Sequence, residues 1–539
     1  MFSLSRTLPQ SFKFSRGIIS RSFLVSKTLD SKVNDLANKY LPLAKEILKE
    51  AIRIPADYTK TDPKCGTSNH EGPRLEYLKN QIIKHKAVSK PGDVWTDDFG
   101  NLCWKVTNPN DGISPDFKKV IYFDGHTDTV NPLREEWTKK LGTGVDCFNG
   151  LTNKNDVSIE ALISELGSVP PKSDWEKHIL FGRGSTDQLG GVISQIIATK
   201  IMLELKDEGL LDGVSIKSIG TIQEEDNDGA GPLFAIRNDC KNAKPREIPD
   251  VIIFTEGTGD IHKGRLGIYR GQRGRMQIEV EVTGRSSHGS MPWAGLNPVE
   301  HGSLIIKEAA ERYEKLEGFK TDEFLGAGSR TCSWGKIDTP SDCAVPEKFT
   351  FRFDRRITVG EDPLDCVADI DNMASVEKCR KAGLNVKVRI PKYTEKTWKG
   401  YQCNNDQTYM SWVTPTEHIA LKSAVDTYKK VVTPFIEKKT NQTVGESIPE
   451  EPRVDRWIFS TDGVGVPVPE NYLGFDVPER KNWIHNGGFK WPAMFGFGAG
   501  CEQFAHKIGE YVDLRELKFA ISMLARFPSR FAEIDKDRK

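Results

Sequence analysis

VIYFDGHTDTV, residues 120–130, decides how this chain is read. Its first four residues are apolar, as in a parallel strand buried on both faces. His126 and Asp128 follow just past that strand's end. An open α/β sheet builds its site at the carboxyl ends of its strands. Three other segments carry acids in comparable settings: GRGSTDQLGG (182–191), TIQEEDNDG (221–229) and FTEGTGD (254–260). FAHKIGEYV (504–512) supplies a late histidine after a run that also reads as a strand.

Each segment taken alone has an ordinary reading. His126 reads as a loop histidine in a polar turn, or as a metal ligand whose second nitrogen is tied down, with Asp128 as the group that orients it. Asp187 reads as an N-cap at a helix start, or as a carboxylate with two free oxygens bridging two cations. Glu224, Glu225 and Asp226 read as a solvated acidic loop, or as buried acids whose repulsion cations relieve. Glu256 follows the apolar run 251–255, and His506 lies in the last segment.

The joint occurrence favours the second set of readings. Two divalent ions carry four positive charges. Asp187, Glu225 and Glu256 supply three negative ones, and a hydroxide supplies the fourth, with His126 and His506 neutral. Glu224 is then left to move protons. Paired metals activate water and polarise a carbonyl, so the chemistry expected is metal-assisted amide hydrolysis.

Bulk composition excludes other classes. With 76 basic and 76 acidic residues, the chain has no net field to draw it to nucleic acid or an anionic membrane. No apolar stretch approaches the roughly 20 residues of a membrane span. The ten cysteines are scattered without a CxxC pair, which points to reduced thiols inside a cell. Residues 1–29 hold five basic residues, seven serines and no acid. That is the composition of an organelle transit peptide, mitochondrial first.

A length of 539 residues implies two domains with insertions. Apolar spacing predicts helices over 31–53, 73–85, 190–205 and 417–432. The short apolar run 120–123 and the stretches 214–222, 251–255 and 491–497 predict core strands, so the first fold element is a mostly parallel α/β sheet. Residues 95–107 read as an edge hairpin, and 131–178 and 436–453 as polar insertions. At about residue 269 the pattern changes to period two. Strands at 276–284, 348–357 and 384–390, with helices at 298–313 and 363–382, predict an inserted β-α-β-α-β sandwich with helices on one face. The expected division is 30–268 and 396–539 for the catalytic domain and 269–395 for the insert.

GHTDTV, GRGSTDQLGG, QEED and AHKIGEYV resemble the motifs of the zinc peptidase family that includes acetylornithine deacetylase, succinyl-diaminopimelate desuccinylase, aminoacylase and carboxypeptidase G. The resemblance runs from about residue 31 to 539. YRGQRGRMQIEVEVTGRSSHGSMPWAGLNP (269–298) is most similar to a poorly characterised hydrolase branch. The resemblance implies His126 and Glu256 on one zinc, Glu225 and His506 on the other, and Asp187 bridging, with cobalt or manganese as substitutes. It implies Glu224 as the base, Asp128 behind His126, and a non-proline cis peptide after Asp187. It also implies an inserted lid that dimerises, with His288 stabilising the oxyanion, often from the other subunit. Arg356 of the Asp354–Arg356 stretch matches the arginine that holds a substrate carboxylate, with Arg355 the alternative register. Asn297 and Thr461 are further substrate-binding candidates, the latter in STDGVG (460–465) beside Asp462.

The chain departs from that pattern at Gln223, in the 61-residue gap between His126 and Asp187, at Gly500-Cys501-Glu502, and in the added residues 436–453. The activity expected is a dinuclear zinc hydrolase cleaving a small N-acyl amino acid or dipeptide-like amide with a free carboxylate, as a homodimer in the mitochondrial matrix or else the cytoplasm. A carboxypeptidase or dipeptidase is the alternative within the class. A non-catalytic structural or binding subunit is the alternative outside it.

Overall fold

The computed structural model describes residues 16–56, 70–142, 144–150, 157–167, 169, 172–242, 247–437, 444–470 and 482–535. Residues 1–15 of the expected leader and 438–443 of the second insertion lie outside the described residues. The central sheet starts with β1 (Val94–Thr96), β2 (Leu102–Thr107), β3 (Lys119–His126), β4 (Val214–Thr221), β5 (Val251–Phe254) and β6 (Gly267–Gln272). The chain then builds a second sheet from β7 (Gly274–Thr283), β8 (Ser329–Asp338), β9 (Lys348–Ile357) and β10 (Asn385–Arg389). It returns through β11 (Trp412–Val413), β12 (Arg453–Trp457) and β13 (Phe489–Gly496).

The order in the central sheet is β1-β2-β4-β3-β5-β13-β6-β11, with β12 alongside β6. The middle four strands, β4-β3-β5-β13, are mutually parallel. Both faces of this middle are buried; β3 and β5 carry continuous apolar runs, while β4 also buries Lys217 and Ser218. One face is covered by α1 (Arg16–Arg53), α2 (Gly190–Glu204), α4 (Ile419–Val431) and α5 (Leu514–Ile534), while α3 (Pro298–Glu314) belongs to the second sheet. In α2, Val192, Ile193, Ile196, Ile197 and Ile201 are all buried. The helix is apolar around its circumference because α1 and α5 flank it on the sheet. Ala235, Ile236 and the indoles of Trp412, Trp457, Trp483 and Trp491 cover the opposite face.

One buried ion pair ties the end of the chain to its beginning. Arg526 of α5 donates from Nε to Asp30 of α1 at 2.6 Å, and its guanidinium is fully buried. Removing one member of such a pair strands the other and costs about 3–5 kcal/mol. Arg526→Met is expected to lower the thermal midpoint by several degrees. An unchanged midpoint would mean that Asp30 finds water.

The second sheet has the order β8-β9-β7-β10, all antiparallel. Met276, Ile278, Val280 and Val282 of β7 alternate inward and pack with Ile305 and Ala309 of α3. Helices Pro363–Asp371 and Ala374–Lys381 complete that core. The architecture is the expected α/β sheet with an inserted α+β sandwich.

Four details differ from the sequence reading. Strand β8 was not anticipated. It is an edge strand with Trp334 and Ile337 exposed, and a bulge between Cys332 and Trp334 interrupts its alternation. The helix expected over 363–382 is two helices, because Asn372 ends the first and Met373 is extended. The insertion at 131–178 is helical around its own core, with Trp137 and Trp175 packed against Phe504, Ile508 and Tyr511. The helix α1 starts at Arg16, inside the stretch read as leader. Among the described residues, no helix is long and apolar enough to cross a membrane.

Candidate metal centre

The strands β4, β3 and β5 are neighbours and parallel, so their carboxyl ends open side by side. His126 is the last residue of β3, Glu224 and Glu225 come just after β4, and Glu256 comes just after β5. Gln223 turns the chain at the end of β4 with φ of 60°, which swings Glu224 and Glu225 back over the sheet. Asp187 arrives from the glycine-rich turn before α2, and its peptide bond to Gln188 is cis. His506 comes from the loop after β13 and also has a positive φ, 63°.

These residues meet. His126 Nε2 lies 2.8 Å from Asp187 Oδ1 and 3.6 Å from Glu256 Oε2. His506 Nε2 lies 3.0 Å from Asp187 Oδ2 and 3.0 Å from Glu225 Oε2. The result is two three-residue donor groups that share Asp187, one oxygen to each. Within each group the donor atoms lie within 4.8 Å of one another. Glu224 belongs to neither group, and its Oε2 is 4.0 Å from His126 Nε2.

Around them sits a buried support. Asp128 accepts from the backbone N–H of Glu224 at 3.2 Å and of Glu225 at 3.0 Å. Its Oδ1 is also 3.5 Å from His126 Nδ1, so one carboxylate steadies both strand ends. Three supports escaped the sequence reading. Glu510 accepts from the N–H groups of Thr186 and Asp187 at 2.9 and 3.1 Å, and binds Arg183 at 2.7 Å. Gln188 donates to Glu256 Oε2 at 2.7 Å. Glu510 stands inside FAHKIGEYV, but its partners lie more than 300 residues away, and no local spacing signals them. Gly191 is needed where α2 starts, because a Cβ there would sit 2.2 Å from the Thr255 carbonyl oxygen.

The electrostatics call for cations. Burial pushes the Glu224 carboxyl well above its ordinary range, and Glu225 adds to the rise. Burial, then Asp187, lifts Glu225 to about 7. Burial would raise Asp187 too, but its bonds to His126 and His506 outweigh that and hold it low. Burial opposes the charged form of His126, yet the Asp128, Asp187 and Glu256 carboxylates raise it well above the usual imidazole range. Four acids and two imidazoles packed this closely, with mixed N and O donors and one carboxylate facing both ways, fit a pair of divalent ions. Partners behind metal ligands typically contribute 10–100-fold to metal affinity. Glu510→Gln is therefore expected to weaken metal retention against a chelator by about that factor. Unchanged retention would show that the Asp187 turn holds itself.

A cavity of about 400 Å³ opens over the centre, lined also by Asp228, Arg275, Arg356, Phe459, Ser460 and Glu502. Arg356 donates to Asp354 at 2.7 Å and to Ser460 Oγ at 2.7 Å. Arg355, the other register, points away and is buried against Glu361 and the Phe319 ring. The other two substrate-binding candidates are not on the cavity wall of this chain. Asn297 is the N-cap of α3, its side chain accepting from Val299 and Glu300. Thr461 is buried, donates to Gln272 at 2.8 Å and caps the turn Asp462–Gly465. His288 is exposed on the inserted domain with Nδ1 toward Ser290, and it does not line the cavity of its own chain.

The peptidase dimerisation domain of the M20 family matches residues 270–380. The chain is 32% identical over 315 residues to the uncharacterized protein YgeY of Escherichia coli K12, covering 57% of this chain and 68% of that one. The chain belongs to the M20 peptidase family. This M20 chain is also 23% identical over 403 residues to a probable succinyl-diaminopimelate desuccinylase of Staphylococcus aureus MRSA252, covering 71% and 83% of the two chains. Its fold is shared with the di-peptidase Dug1p of Saccharomyces cerevisiae at a TM-score of 0.58 and 14% identity, over 94% of this chain and 99% of that one. As an M20 member it is a metal-binding hydrolase acting on amide bonds.

Proposed function

We propose that this M20 chain is a dinuclear zinc hydrolase that cleaves the amide bond of a small N-acyl amino acid or dipeptide-like substrate. The observation that carries the reading is Asp187, whose two oxygens lie 2.8 and 3.0 Å from histidines of two different donor groups. His126, Glu256 and Asp187 would hold one ion, and Glu225, His506 and Asp187 the other. Such a pair would supply a water whose pKa is lowered toward about 7 and a Lewis acid for the amide carbonyl.

The chain's own groups do the rest. Glu224, buried and outside both donor groups, takes a proton from the attacking water and gives it to the leaving nitrogen. Asp128 fixes Glu224 and Glu225 through their backbone N–H groups, so the base and a ligand move together. Arg356, already aligned by Asp354, offers a planar cation for the substrate carboxylate. His288 of the partner subunit completes the oxyanion site in a homodimer formed through the inserted domain. Residues 269–395 act as that lid, between catalytic parts 30–268 and 396–539. The composition of residues 1–29 supports delivery to the mitochondrial matrix.

The test is elemental analysis of the purified chain beside a hydrolysis panel of acyl amino acids and dipeptides. About two zinc per chain is expected, with turnover lost to a chelator and restored by zinc, cobalt or manganese. Full turnover after complete removal of metal would refute the reading.

A further inference from the structure

Beyond the donor groups and Glu224, the cavity wall holds four charged residues: Asp228, Arg275, Arg356 and Glu502. Three are matched. Arg275 binds Asp228 directly and reaches Asp354 at 3.1 Å, and Arg356 binds Asp354. Among the described residues, Glu502 forms no ion pair within 4 Å. Its Oε2 is sealed from solvent without a hydrogen-bond partner. Its Oε1 accepts only from the neutral Gln503 amide, at 3.2 Å.

The nearby cations, Arg453 and Lys263, favour its charged form from a distance but make their ion pairs elsewhere. Lys263 and Arg453 are both held by Asp455, at 2.8 and 2.9 Å. Arg453 also donates to the Thr258 carbonyl at 2.6 Å. The other close acid, Asp260, accepts from the backbone of His262 and Lys263 and adds to the negative potential. Burial, and then Asp260, push the Glu502 carboxyl up to about 7. A half-buried carboxylate without an ion pair is costly; with Oε2 sealed, a cationic substrate group would reach it through Oε1, and its charge there offsets part of that cost.

We propose that Glu502 is a specificity-determining residue that receives a cationic group of the substrate, an ammonium or guanidinium. The preferred substrate then carries one positive charge for Glu502 and one carboxylate for Arg356. This rests on the hydrolase reading and narrows its substrate class from acyl amino acids and dipeptides in general to those bearing an amine. A site built for a polar group discriminates strongly against the analogue lacking it, because the site's own group is then left unpaired. A charged hydrogen bond of this kind is worth about 10–100-fold in kcat/KM.

Two matched substrate pairs distinguish where the charge comes from. Glycyl-leucine and acetyl-leucine differ in an α-ammonium, and acetyl-lysine and acetyl-norleucine differ in a side-chain ammonium. For the zinc-loaded wild type, the cationic member of one pair is expected to exceed its neutral partner tenfold or more in kcat/KM. In Glu502→Gln that ratio should collapse toward one, mainly through KM. A general structural defect would lower both members alike and leave the ratio standing. Calorimetric binding reads the same contrast without turnover, using glycine hydroxamate against acetohydroxamate and lysine hydroxamate against norleucine hydroxamate. Equal affinity within both probe pairs, or a preference that survives Glu502→Gln, overturns the assignment even where hydrolysis is observed. A probe preference abolished by Glu502→Gln in a chain that hydrolyses nothing would remove the hydrolase reading and keep the role of Glu502.

Discussion

Glu224→Gln is expected to lower hydrolysis by about 10²–10⁴ while both metals stay bound. The reasoning is geometric. Glu224 is in neither donor group, so its replacement removes no ligand. Glutamine has the same shape and keeps the backbone N–H that Asp128 holds at 3.2 Å. What it loses is the ability to accept a proton from water and pass it to the leaving nitrogen. The loss should therefore appear in kcat, with KM nearly unchanged, because the substrate contacts lie elsewhere. Metal analysis and single-turnover kinetics on the same preparation check both halves. A variant with wild-type kcat would remove Glu224 from the mechanism. One that lost its metals would instead make it a ligand.

The second large effect is expected for Asp187→Ala. Its two oxygens face two donor groups, so on the two-ion proposal one substitution would deprive both ions of a ligand. Removing Glu256 or His506 affects only one group each. Zinc content is expected to fall from about two per chain to near zero after gel filtration, and activity to vanish with it. The apo-like chain should also stop responding to added zinc in a thermal melt. A ligand present at about 100 times its Kd stabilises a folded protein by about 2.7 kcal/mol, and this gain should be missing in the variant. If Asp187→Ala kept two zinc ions, the shared-carboxylate arrangement would be wrong.

Much of this centre could be read from the chain because its donors stand at strand ends, where local pattern and position coincide. The runs 120–123 and 251–254 are continuous and apolar, and one donor residue follows each within three positions, His126 and Glu256. The resemblance added the cis peptide after Asp187, which the backbone shows. Reading failed where the cause was tertiary. Asn297 and Thr461, read as substrate contacts, each cap a helical turn through their side chains, a short-range role that a motif match does not reveal. Strand β8 escaped because a bulge shifts its period and its side chains face outward. The helix α5 was overlooked, although it packs against α1, α2 and α4. The supports Glu510, Arg183 and Gln188 act across the chain, so their partners appear only once it is folded.

The helices between 134 and 178 have a bearing on engineering. The Trp137 ring lies 5.8 Å from the Arg183 guanidinium, Arg183 grips Glu510, and Glu510 holds the N–H groups that aim Asp187. On the other side, Phe504 and Ile508 bracket His506 while rooted among the same indoles. What looks in the sequence like an optional excursion is therefore masonry beneath one wall of the reaction chamber. A shortened graft of this segment from a smaller relative would trim the ornament and loosen the floor at once.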